Sequence, residues 1–73
     1  MTPELIEEYQ SDDGDREVTI SISDINMSMF RYTYEIIFAS SGKIVGKHHT
    51  ELLEAARVIA KRWITKGELV EWN

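Results

Sequence analysis

The spacing of apolar positions changes along this chain, and each spacing predicts a different element. From Glu17 the period is two: Val18, Ile20 and Ile22 alternate with Thr19, Ser21 and Ser23, the pattern of a strand with one buried face. After a loop in "SDINMS", the run "FRYTYEIIF" puts Phe30, Tyr32, Tyr34, Ile36 and Phe38 on one face and Arg31, Thr33, Glu35 and Ile37 on the other. This is the strongest strand signal in the chain, and it predicts that the aromatics face the core. "SSGK", Ser40 to Lys43, supplies a turn with glycine, so "KIVGKH" returns antiparallel and completes a three-stranded meander. The period then becomes helical. With Thr50 as N-cap, the helix runs to about Lys66 and stops at Gly67. Leu52, Ala55, Ala56, Ile59, Ala60 and Trp63 share its inner arc, flanked by Leu53 and Ile64. Glu51, Glu54, Arg57, Lys61, Arg62 and Thr65 make its outer arc.

The two ends are less periodic. "TPELIEEYQ" reads as a short helix, with Thr2 as N-cap, Pro3 at the first helical position, Glu4 at the positive end of the dipole and a narrow stripe of Leu5, Ile6 and Tyr9. A helix of two turns persists only when docked, so partial disorder of residues 1–16 is the rival reading. The turn-rich "SDDGD", Ser11 to Asp15, ends it. At the other end "ELVEW" carries Val70 and Trp72 on one side, either as a short fourth strand or as an extended tail. The expected fold is therefore α+β: one domain over residues 1–73, a three-stranded antiparallel sheet with a short N-terminal helix and a long C-terminal helix on one face. Thr19, Ser21, Ser23, Arg31, Thr33, Glu35, Ile37, Val45 and Lys47 are left for the outer sheet face.

Length narrows the function. A chain of 73 residues commits nearly all its large apolar side chains to one core and leaves little room for an enclosed active site. It has no cysteine, hence no disulfide framework and no thiolate metal site. No apolar run is long enough to span a bilayer, and "MTPELIEEYQ" lacks the basic and apolar regions of a signal peptide, so a cytoplasmic location is expected.

Charge divides the chain in two. Residues 1–25 carry eight acids and one base, whereas residues 26–73 carry seven bases and five acids, within a net charge of −5. The acidic run Asp12, Asp13, Asp15 and Glu17 is the candidate protein-binding site, able to imitate phosphates in a partner's groove. Lys43, Lys47, Arg57, Lys61 and Arg62 are the candidate nucleic-acid contacts, although a negative chain gains little from counterion release.

The order α-β-β-β-α resembles the double-stranded RNA-binding domain. The likeness rests on "IEEY" at Ile6 to Tyr9, on Asn26 four residues before Phe30, on the alternation at Tyr32, Tyr34 and Ile36, on "GKIVGK" at Gly42 to Lys47, and on Ala55 and Ala56. It covers most of residues 3–66 and implies a fold and an RNA-binding activity. Glu8 matches the contact position of that family's first helix. The family grips phosphates with lysines that open its second helix. Here Glu51, Leu52, Leu53 and Glu54 follow Thr50, and Ser23 and Asp24 replace a glycine-proline loop. The resemblance thus implies the fold more strongly than the activity. More coarsely, three strands followed by a helix resemble the small DNA-binding domains at the N-terminus of some integrases. Their reading face would here offer Arg31 and Lys47 beside Glu35.

No motif supplies chemistry. His48 and His49, adjacent in a strand, point to opposite faces and do not converge on one metal. Gly42 to Gly46 spans three intervening residues where a phosphate loop has four, and His48 follows instead of Ser or Thr. "GKHH" lacks the second glycine of a KH-type clamp. No local arrangement pairs a nucleophile with a base. The expected function is that of a non-enzymatic module without cofactor or metal, a small regulator or inhibitor acting through protein contacts, with nucleic-acid binding as the alternative. Ile37 and Val45 on the outer face also permit a homodimer.

Overall fold

The computed structural model describes residues 4–69. Four strands, β1 (Glu4–Gln10), β2 (Arg16–Asn26), β3 (Arg31–Ser40) and β4 (Lys43–Thr50), form an antiparallel sheet in chain order, and one helix, α1 (Leu53–Lys66), packs on it. The expected N-terminal helix is not there. Glu4–Gln10 is an edge strand, paired from Glu4↔Ile22 to Gln10↔Glu17 with a bulge between Leu5 and Glu7. The fourth strand therefore lies at the beginning of the chain. Thr2 and Pro3, which suggested a helix start, and Val70 and Trp72, which suggested a terminal strand, lie outside the described residues.

Tertiary anchors explain why β1 is extended. Its inner face presents Glu7 and Tyr9 to α1, where Arg57 donates to Glu7 Oε2 from Nε at 2.8 Å and from Nη2 at 2.6 Å. Tyr9 donates its hydroxyl to Glu7 Oε1 at 2.5 Å. Alternation of period two brings Glu7 and Tyr9 to the same face, and β2 supplies the backbone partners that a lone two-turn helix would lack. The Arg57 guanidinium, with the Tyr9 hydroxyl, holds the Glu7 carboxyl below its ordinary range. A carboxylate with a depressed folded-state pKa stabilises the fold above its unfolded value, and the contribution is lost as pH falls through the folded value. Acid below about pH 4.5 is thus expected to release β1 early, and Glu7→Gln should remove that step from an acid unfolding curve followed by hydrogen exchange of β1 amides.

The core is the layer between sheet and helix. Val18, Ile20, Ile36 and Phe38 from the central strands meet Ala56, Ala60 and Trp63 from α1. Trp63 stacks edge-on against Phe38, with ring centroids 5.9 Å apart, and its Nε1 donates to the Glu17 carbonyl at 3.0 Å. The alanines let the helix approach closely, while Ile6, Tyr9, Leu53, Ile59 and Ile64 close the margins. The expected inner arc holds except for Leu52, which is 67% exposed. The helix also starts later than expected: Thr50 ends β4 opposite Tyr34, and Leu52 is the N-cap. The Thr50 hydroxyl instead accepts the Leu52 N–H at 3.2 Å, bridging strand to helix. Gly67, with φ 69°, closes the last turn through its N–H to the Trp63 carbonyl at 2.9 Å.

Ser41 and Gly42, at φ 51° and 79°, are the central residues of a two-residue hairpin between Ser40 and Lys43. A Cβ at position 42 would meet nothing within 4 Å, so Gly42→Ala costs only backbone strain. We expect a loss of about 1 kcal/mol in urea denaturation.

His48 and His49 do face opposite ways. His48 is 2% exposed on the inner face beside Ile36, and His49 lies outside, its Nε2 3.0 Å from Glu35 Oε2. Burial, reinforced by the neighbouring His49, lowers the His48 pKa. The folded state therefore disfavours its protonation, so stability is complete above about pH 6.5 and declines as pH falls through the folded value. His48→Gln is expected to flatten the fall of Tm between about pH 7 and about pH 5.

Candidate protein-binding surface

The same strands that build the core overshoot it. A 14-residue helix rises about 21 Å, whereas an 11-residue strand spans about 36 Å, most of the molecule's 42 Å long axis. The sheet also narrows at that end. Glu4↔Ile22 is the first pair of β1 and β2, and Tyr34↔Thr50 is the last pair of β3 and β4. Beyond them, among the described residues, only Asp24↔Thr33, Ile25↔Tyr32 and Asn26↔Arg31 continue, as a two-stranded arm. A bulge at Ser23, whose hydroxyl donates to the Thr33 carbonyl at 3.2 Å, marks the root of the arm and increases its twist.

The arm ends in an apolar tip. Met27 is 72%, Met29 56%, Phe30 86% and Tyr32 45% exposed. The core position expected for Phe30 and Tyr32 is thus corrected. Tyr32 shares the strand parity of Ile36 and Phe38 but lies beyond the cover of α1, and Phe30 falls in the turn that precedes β3. Tyr32 stays beside Tyr34, with centroids 6.3 Å apart. Asn26 Oδ1 accepts the Met29 N–H at 3.3 Å and shapes the turn. Phe30 itself has φ 53°, a left-handed conformation that disfavours a bulky side chain. An exposed phenylalanine in a strained backbone gains nothing for the fold, which makes it a functional candidate. Asparagine tolerates that conformation, so Phe30→Asn should leave the domain as stable as the wild type or more so, by up to about 1 kcal/mol in urea denaturation.

The acidic run lies at the opposite end and is largely spent on structure. Asp13 Oδ1 accepts the Ser11 hydroxyl at 2.6 Å and the Asp15 N–H at 3.0 Å, which together hold its carboxyl below the ordinary range. Asp15 accepts the hydroxyls of Ser40 at 3.0 Å and Ser41 at 2.5 Å, tying the β1–β2 turn to the β3–β4 turn. Glu17 accepts from Gln10 at 3.2 Å across the strand pair. Among the described residues, the Asp12 carboxylate makes no hydrogen bond, and the residue is exposed. A shallow cleft of about 400 Å³ opens beside Ser11, Asp12, Asp13, Arg16, Ile64 and Thr65. Arg16 is committed there to the fold, donating from Nη2 to the Ile64 carbonyl at 2.8 Å with its guanidinium 6.0 Å over Trp63.

The five candidate cations are dispersed. Arg57 is held by Glu7 and faces Glu54 at 3.6 Å. Lys43 and Lys47 lie on β4, and Lys61 and Arg62 on the exposed side of α1. The helix start bears Glu51, 3.8 Å from Arg31, where a phosphate grip would require cations. Among the described residues, no three His, Asp or Glu side chains gather as metal ligands, and no helix is long and apolar enough to cross a membrane.

Strand parity alone does not reveal the arm, because it says which residues share a face and not whether that face is covered. Its signal was nonetheless present: "NMSMF" places Met27, Met29 and Phe30 in and beside a predicted loop, where polar residues are the rule. Compared with protein-family models, curated proteins and solved structures, the chain matches none.

Proposed function

We propose that this chain is a small, non-enzymatic binding module that engages a protein partner by seating the tip of its β2–β3 arm in an apolar pocket. The observation that carries this reading is the exposure of Met27, Met29, Phe30 and Tyr32 on an arm that, among the described residues, has no flanking strand, with Phe30 kept in a strained conformation. Methionines adapt to irregular surfaces, and an aromatic anchor in a desolvated pocket is the usual centre of binding energy. The acidic turn plays a secondary part: with Asp13 and Asp15 engaged inside the turns, Asp12 is the acid left to steer a basic partner.

Titration with double-stranded RNA and DNA at low salt tests the reading against its rival. The proposal expects only weak binding, unchanged by Lys47→Ala plus Lys61→Ala. Tight binding with a steep salt slope, lost in that double variant, would overturn it in favour of nucleic-acid recognition.

A further inference from the structure

The two edges of the sheet carry opposite charge, and one acid and one base of them lie in the same row. Among the described residues, β1 is paired on one side only and exposes Glu4 and Glu8, while β4, the other edge, exposes Lys43 and Lys47. Register makes the match specific. Glu8 pairs with Thr19, Thr19 with Ile37, and Ile37 with Lys47, so one row across the outer face begins with an acid and ends with a base. Apolar residues lie close by: Leu5 is 54%, Ile44 63% and Val45 45% exposed.

We infer that a second copy of this chain docks edge to edge, its β1 against β4, extending the sheet head to tail. Three features favour this geometry. The sheet has an even number of antiparallel strands, so β4 and the β1 of a copy placed alongside run antiparallel, and the hydrogen-bond alternation continues across the seam. In that placement Lys47 falls opposite Glu8 of the neighbour, an opposite-charge cross-strand pair. A two-fold arrangement does the reverse, because β1 against β1 opposes glutamates and β4 against β4 opposes lysines. The like charges that block symmetric pairing therefore select the heterologous contact. The helices of successive copies lie on the same face, and the β2–β3 arms all extend from the same end.

Glu8 and Lys47 are exposed and, among the described residues, neither takes part in a side-chain hydrogen bond or ion pair, so reversing their charges leaves the fold intact. Sedimentation velocity across micromolar to millimolar concentration tests the contact. The wild type is expected to associate as concentration rises, and Glu8→Lys and Lys47→Glu each to weaken association about tenfold, with thermal unfolding unchanged. An equimolar mixture of the two variants, in which each basic edge again finds an acidic one, is expected to associate as the wild type does, as is the Glu8→Lys plus Lys47→Glu double variant. A wild type that stays monomeric throughout, single variants that associate as well as the wild type, or a mixture that fails to recover would each overturn the inference.

Discussion

Trp63→Ala is expected to remove about 3–5 kcal/mol of stability, the largest effect of any single truncation in this domain. Trp63 is 6% exposed, packs edge-on against Phe38 and bonds the Glu17 carbonyl, so it joins the helix to both central strands. A domain of 73 residues has a total stability of roughly 4–11 kcal/mol, and the variant therefore stands at or near the unfolding threshold. Thermal unfolding followed by circular dichroism should show Tm lowered by at least about 12 °C, or no cooperative transition. Trp63→Phe separates packing from the hydrogen bond. It retains an aromatic ring against Phe38, loses the Nε1 donor and is expected to cost only about 1–2 kcal/mol. Equal losses in both variants would mean that the hydrogen bond, not the packing, holds the helix down.

The second large effect falls on binding and leaves the fold untouched. Phe30→Asp puts a charge on a side chain that is already 86% exposed and contributes nothing to the core, so Tm should stay within the range of neutral surface changes. For a partner that buries the tip, the same change leaves a carboxylate in an apolar pocket. A hot-spot loss of at least about 2 kcal/mol is expected, or about 30-fold in Kd. Met29→Asp should behave alike. Arg62→Asp, a change at an exposed position on α1, should alter neither Tm nor affinity. This contrast distinguishes an arm that binds from a protein that has merely become more acidic.

Much of the fold was legible in the sequence because it rested on strict periodicity. The alternation at Val18 and Ile20, the "SSGK" turn and the helical stripe of Ala56, Ala60 and Trp63 each agree with local preference and with burial. The N-terminus was not legible, since Leu5, Ile6 and Tyr9 fit a helical stripe as well as a strand edge. What decided the matter was non-local: β2 offered a pairing edge, and Arg57, 50 residues away, offered Glu7 a partner. Strand preference is largely a preference for such surroundings. The arm was hidden for a related reason. Parity tells which residues share a face, but how far that face is covered depends on the length and placement of α1. The acidic run was visible as charge, while its use in two turns depended on contacts from Ser40 and Ser41 in another hairpin.

Whether the arm tip seats in a protein partner is decided by site-specific photocrosslinking in cells that produce the protein. A photoreactive phenylalanine analogue is placed at position 30 and, in a control, at position 62 on the exposed side of α1. One discrete protein adduct is expected from position 30, lost when Met29→Asp is added, and none from position 62. Adducts of equal yield from both positions, or an adduct from position 62 alone, would contradict binding through the tip.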